Sequence, residues 1–362
     1  IILASVYNIL ASSPINPKAW KAPAAPQATG VYTPNSLLQG FTSLTLPAGS
    51  YGPESIAFDY NGVGVTADSQ GQLFKVHSGS PLTPWIKLSG RPLGMQFAPT
   101  SEQPSKQSLL IADAIAGLIR INPAAEVEVL SNSFAGQPYG FIDDVAVAQN
   151  GKIYFSDATR RPWLSEDPNL AMHASQYEIL EHGGNGRLFV YDPSSQKVEL
   201  LLDNLEFANG VVLSADEDFV LVNETGSYQV RRYWLNGEKA GSNDIFSSNL
   251  PGFPDNITAA ADGGFWLALI KPRNKMVDLL SDYPKLRKMA SRLPQVLLPV
   301  GKSFSHVIKL NSTGQVVQSL QDAEAQMGNI TSAIEQQGLL YLGSLTDSKV
   351  AVIDLSALPE IK

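Results

Sequence analysis

Cysteine is absent from the 362 residues. That excludes disulfides, a thiolate nucleophile and Cys-ligated zinc. Histidine is scarce, with four residues in all. No Gly-x-Ser-x-Gly elbow occurs, which disfavours a serine hydrolase of that type. An excess of positive charge is missing too. The formal net charge is −8, and nucleic-acid partners call for basic faces. The apolar run that opens the chain, within "IILASVYNILASSPINPKAW", is about 11 residues long and is broken by Asn8. That is too short to span a bilayer.

What is present describes an ordinary globular protein with ample core: 44% hydrophobic and 17% charged residues. Length alone would allow two or three domains, but all-β folds of this size are often single. The opening apolar run reads as the tail of a signal peptide or membrane anchor. It predicts a periplasmic, secretory or membrane-anchored protein on the lumenal or extracellular side, with membrane association through the N-terminus. Residues 14–36 are rich in Pro and Ala, the composition of an extended linker. Residues 1–36 are therefore expected to lie outside a single folded unit spanning 37–358.

A repeat runs through that unit. Six segments share a polar turn, a short apolar strand, a Gly or Asp turn, and two further strands. They begin at Gly52, Gly90, Gly140, Phe207, Phe253 and Gly328. The strands are rich in Val, Ile, Leu, Phe and Tyr, and Gly, Asp or Asn bounds them. Three such strands plus an outer one make a propeller blade, and a ring of blades must close to bury both faces of each. The expected fold is therefore all-β, a six-bladed β-propeller with four-stranded blades. "FTSLTLP" at 41–47 is placed to supply the missing outer strand of the last blade, joining the two chain ends.

Two insertions interrupt the pattern, 158–185 in the third blade and 271–302 in the fifth. In the second, Met276, Leu279, Leu280, Leu286, Met289 and Leu293 recur at helical spacing, broken at Pro284. That insertion reads as a helix on the blade edge, a lid over the channel, or a membrane-facing amphipathic element.

The first strand of a blade lines the central channel, so what precedes it faces one mouth. Glu54 stands there in the first repeat, Asp143 with Asp144 in the third, Asn209 in the fourth, and Asp255 with Asn256 in the fifth. Any one of them would pass for a turn-capping residue. In equivalent repeat positions they converge on the axis, where carboxylates repel unless a cation compensates. Oxygen donors alone, carboxylate and amide mixed, suit Ca²⁺ rather than zinc or copper. His77, His173, His182 and His306 all lie outside these positions.

"GPESIAF", "GRPLGM", "FANGVVLS", "NETGSYQVRRYWL" and "LPGFPDNI" together resemble the strictosidine synthase-like and adipocyte plasma membrane-associated proteins. These belong to the wider six-bladed group of paraoxonases, gluconolactonases and diisopropyl fluorophosphatases. The resemblance covers about residues 14–357. It implies calcium ligands at Glu54, Asn209, Asp255 and Asn256, with Asp143 of "DDV" in place of a paraoxonase asparagine. Asp144 matches an aspartate that in paraoxonases helps a second calcium. The partner position there is Ser55, which leaves one central ion as the expectation. The paraoxonase histidine dyad falls on Leu93 and Ala114, so a His–His base is absent. The acid/base glutamate of strictosidine synthase falls on Thr331, and Glu224 is the remaining candidate for that role.

The leading expectation is a calcium-dependent hydrolase of lactones or small esters, with a small-molecule partner and no nucleic acid. Asp255 is the first candidate for base or nucleophile and Asp143 the second. Phe207 and Leu93 would shape the pocket. The alternatives are a non-enzymatic, membrane-associated binding module with structural calcium, and a strictosidine synthase-type lyase.

Overall fold

The computed structural model describes residues 13–77, 80–99, 107–161, 169–292 and 303–359, with backbone alone at 169–174. The N-terminal apolar run, Leu293 and the rest of the second insertion, and the side chain of His173 lie outside the described residues. Six four-stranded antiparallel sheets follow one another along the chain as the blades of a β-propeller. Their first strands are Ile56–Phe58, Pro92–Phe97, Ile142–Val147, Ala208–Leu213, Gly252–Ala259 and Ile330–Gln336. The sixth blade takes its outer strand from Thr42–Thr45, which pairs antiparallel with Lys349–Asp354 from Thr42↔Val352 to Thr45↔Lys349. The chain ends close the ring, as the 41–47 segment predicts.

The core is divided among the seams between blades. Leu110 and Leu118 of blade two pack with Val145 and Phe155 of blade three. Tyr154 and Val190 of blade three pack with Val211 and Val220 of blade four. Leu221 and Phe246 meet Ile257 and Phe265 across the next seam, and Trp266 and Ala268 meet Ala333 and Leu342 across the one after. Alternating apolar residues thus serve two neighbours at once, so no blade buries its faces without the others.

Strand register fixes which end of the ring carries the insertions. The start of each first strand pairs with the end of the second: Ile142↔Asp157, Ala208↔Glu224 and Gly252↔Pro272. Both insertions leave from the ends of second strands, so they rise at the mouth where the first strands begin. The first contains helix α1, Asn169–Glu181. The second contains α2, Lys275–Leu279, and α3, Pro284–Ala290. Asn274 caps α2 by accepting the Met276 amide at 2.9 Å. Pro284 opens α3 at a position where its missing N–H costs nothing.

An extended strap ties these helices together. The Lys18 amide donates to Glu181 at 2.9 Å, and the Trp20 amide donates to Ser281 at 3.2 Å. The Trp20 ring stacks on His182 with centroids 4.0 Å apart. Arg287 is buried beneath the strap and donates to the carbonyls of Lys18, Leu180 and Ser281.

Candidate metal and catalytic site

The repeat positions singled out in the sequence share one local structure. In blades two to six the pairing of first and second strands breaks at a β-bulge. It skips Leu93 and Gly94, Asp143 and Asp144, Asn209 and Gly210, Asp255 and Asn256, and Thr331. A bulge re-aims side chains out of the alternating pattern. Glu54 occupies the corresponding place in blade one, just ahead of Ile56–Phe58. Four blades put carboxylate or amide side chains there. The other two put Leu93 and Thr331.

Carboxylate oxygens of Glu54, Asp143 and Asp255 lie within 4.8 Å of one another. All three residues are buried, at 6%, 2% and 3% exposure. Asn209 and Asn256 are buried beside them in sequence-equivalent bulges. Asn209 bonds the Asp255 carboxyl. Glu54 Oε2, Asn209 Oδ1 and both polar side-chain atoms of Asn256 have no hydrogen-bond partner. Buried polar atoms are normally satisfied, so a group of orphans at one place needs an explanation. Oxygen donors with unmet demand around three carboxylates fit a hard divalent cation such as Ca²⁺.

Electrostatics agree. Burial pushes Glu54 up to about 7, partly offset by the Arg91 guanidinium, whose Nη2 is 3.9 Å from Glu54 Oε2. Asp143 is raised well above the usual carboxylate range by burial and then by the charges of Glu54, Asp255 and Asp144. Asp255 is raised by burial and by Glu54. The three carboxyls cannot all be ionised at neutral pH unless positive charge joins them.

The surroundings hold the cluster rigid. Thr331 Oγ1 and Ser332 Oγ both donate to the Glu54 carbonyl at 2.7 Å. Asn223 donates to the Asp255 carbonyl, and Thr225 Oγ1 donates to the Pro254 carbonyl at 2.7 Å. Asp144 has a different job from its neighbour. Its two oxygens accept the amides of Val145 and Val211, each at 2.8 Å, so it clamps blade three to blade four. Burial nevertheless raises it to about 7. Gly94 makes room for that clamp, since a Cβ there would come within 1.9 Å of Asp144 Oδ1. Arg91, Thr331, Ser332, Asn223 and Thr225 carry no marked motif. Thr331 stands out in the sequence through the resemblance to strictosidine synthase, not through its hydrogen bond to Glu54.

The apolar candidates also come together. Leu93 and Phe207 form one buried cluster with Phe141 and Ala158, and Ala114 packs against it. A cavity of about 420 Å³ opens at the rim of the same mouth, lined by Asp113, Ala114, Asn132, Tyr139 and Ile142 among others. It borders the apolar cluster through Ala114 and does not lie over the carboxylates. Glu224 is engaged elsewhere, accepting from Arg231 at 2.9 Å and from Gln229 at 2.5 Å. His182 sits under Trp20, and His306 is buried against Ser319.

Comparison with known proteins gives a consistent answer. The Strictosidine synthase family profile matches residues 143–238, and the Strictosidine synthase-like, N-terminal profile matches residues 30–76. Adipocyte plasma membrane-associated protein of Bos taurus is 34% identical over 360 residues, covering 93% of this chain and 84% of the relative. Strictosidine synthase-like 10 of Arabidopsis thaliana is 34% identical over 336 residues, 85% of this chain and 86% of the relative. Among solved structures, a gluconolactonase from Xanthomonas campestris superposes with a TM-score of 0.60 at 16% identity, covering 95% of this chain and 98% of that one. A calcium-binding regucalcin from Agrobacterium tumefaciens gives 0.57 at 14% identity, covering 86% and 93%. At such identities the two structures speak for the shared propeller fold.

Proposed function

Because the chain belongs to the family of strictosidine synthase-like and adipocyte plasma membrane-associated proteins, we propose that it is a calcium-dependent hydrolase of lactones or small esters. The observation that carries this reading is the cluster of three buried carboxylates within 4.8 Å, surrounded by unpartnered amide and carboxylate oxygens. Glu54, Asp143, Asn209, Asp255 and Asn256 would hold the ion. When bound, Ca²⁺ supplies Lewis acidity to a substrate carbonyl oxygen.

The chain's own residues do the rest. Asp255, first in line as base, takes a proton from water as the water oxygen adds to the carbonyl carbon. The alkoxy leaving group then recovers a proton as the acyl–oxygen bond breaks, giving a hydroxy acid from a lactone. Asp143 is the second candidate for the same role. The Asn209 amide orients the Asp255 carboxyl, and Thr331 and Ser332 fix Glu54 through its carbonyl. Leu93 and Phe207 would face the apolar part of a substrate. A gluconolactonase and a calcium-binding regucalcin with the same propeller fold support the proposed chemistry and ion.

Two variants separate the roles. Asp255→Asn keeps an oxygen ligand but removes the base. It should retain calcium, more weakly, and lose turnover by roughly a hundredfold or more. Asn209→Ala should lose calcium and turnover together. Full turnover by Asp255→Asn would remove Asp255 from the reaction, and unaltered calcium affinity in Asn209→Ala would undo the ligand assignment.

A second reading has an observation of its own. The proposed ligands are deeply buried, and the described cavity lies to one side of them. That favours a binding module whose calcium is structural. It predicts calcium binding with no turnover on any lactone or aryl ester. A strictosidine-type lyase is less favoured, because the Thr331 hydroxyl is committed to the Glu54 carbonyl.

A further inference from the structure

Helices α2 and α3 are built inside out. The residues this segment buries are polar: Ser281 in the turn between the helices, Arg287 on α3 and Ser291 just after it are 3%, 1% and 6% exposed. Its large apolar residues face solvent: Met276, Leu279, Tyr283, Leu286 and Met289 are each 46% to 65% exposed. A surface helix of a water-soluble protein shows the reverse arrangement. Packing does not require these side chains to be apolar, because Arg287 and the two serines already hold the helices to the strap and to α1. Five large apolar side chains within fourteen residues of sequence form the kind of patch that marks an interaction site.

Two observations identify the partner. The first is charge. Lys275 and Lys285 are exposed and Lys288 is half-buried on the same helices, against Asp282 as the exposed acid. Asp278 is already engaged by Arg273 and by the Tyr228 hydroxyl. An apolar face edged with lysines suits the headgroup region of an anionic bilayer. The second is the course of the chain. Ser13 Oγ lies 3.1 Å from Ser291 Oγ just past α3, so the preceding twelve residues, "IILASVYNILAS", join the protein at the C-terminal end of the helix that carries part of this face.

We infer that α2 and α3 are a membrane-docking surface. Their exposed apolar side chains enter the interface of an anionic bilayer, and the mouth above the carboxylate ring turns toward the lipid. This rests on the insertion and not on any activity of the ring.

The absence of cysteine makes the test direct, since a single introduced thiol can be labelled alone. In the full-length chain, Leu279→Cys and Leu286→Cys are each labelled with a nitrobenzoxadiazole fluorophore. Glu238→Cys, on an exposed loop at the opposite mouth, serves as control. Vesicles of phosphatidylcholine with a quarter phosphatidylserine are added. Labels at 279 and 286 should shift to the blue and be quenched by brominated acyl chains, while the label at 238 stays unchanged. Lys285→Glu with Lys288→Glu should lower partition into these vesicles by at least about tenfold. Vesicle binding with both insertion labels still in water would overturn the proposal and leave the N-terminal run as the anchor. Labels shielded before any lipid is added would overturn it in favour of a cover made by the chain's own N-terminus or a second copy. Partition indifferent to the two lysines would overturn the assignment to an anionic surface.

Discussion

Removing calcium should lower the melting temperature, and the size of the drop should depend on pH in a defined way. With free calcium at about a thousand times its dissociation constant, ligand linkage contributes about 4 kcal/mol. An unfolding entropy of about 2.1 cal/mol/K per residue gives about 0.76 kcal/mol/K for 362 residues. The drop on chelation is then about 5 °C at pH 8. Protons compete for the same carboxylates. Glu54 rises from 4.5 unfolded to about 7 in the fold without metal. Its folded form binds a proton more tightly than its unfolded form, so the metal-free protein gains stability as pH falls through 7 toward 4.5. For this one group the gain from pH 8 to pH 5 is about 2–3 kcal/mol, or about 3–4 °C. Asp143 and Asp255 shift in the same direction and add to it. Calcium affinity falls over the same interval because its ligands are protonated. Scanning calorimetry at pH 8, 7, 6 and 5, with calcium and with chelator, should show the two melting temperatures converging on acidification. A gap that keeps its size from pH 8 to pH 5, or no gap at any pH, would refute the reasoning.

Three further outcomes follow from the packing. Gly94→Ala drives a Cβ into Asp144 and its clamp on Val211; a loss of about 3 kcal/mol or more is expected by denaturant unfolding, and a loss under 1 kcal/mol would mean that the clamp is slack. Arg187→Met leaves the Asp157 carboxylate buried without its partner; the expected loss is about 3–5 kcal/mol, and an unchanged midpoint in urea would contradict it. Deleting 41–47 uncovers the edge of Lys349–Asp354; light scattering should reveal association through that edge, and a monomer with unaltered melting would show that the closing strand is dispensable.

The ring was readable from sequence because a propeller repeats its own local structure. The bulges of blades two to five each consume two residues at the same place in the repeat, so Asp143, Asn209 and Asp255 could be aligned with one another within a single chain. Closure by 41–47 was readable for the same reason, since one blade came out a strand short. The break at Pro284 followed from its ring and its missing amide. What the pattern could not reveal was direction. Helical spacing of Met276, Leu279, Leu286 and Met289 defines a face, but not whether that face meets protein or solvent. The strap was hidden as well: Lys18 and Arg287 are far apart in sequence, and nothing local to "PINPKAW" announces a contact with a distant helix. Asp144 stands beside Asp143 among the oxygen donors of the repeat, yet its oxygens are taken by backbone amides. Adjacent carboxylates in a bulge can point to different partners, and only coordinates tell them apart.

Turnover and calcium occupancy should share one binding curve. Chelated protein is titrated with Ca²⁺ while bound ion is followed by calorimetry and lactone and aryl-ester hydrolysis is assayed in parallel. One ion per chain should bind, and hydrolysis should rise from background in proportion to occupancy, with the same midpoint. Full occupancy without turnover on any substrate of either class, or turnover that survives complete chelation, would contradict a calcium-dependent hydrolase.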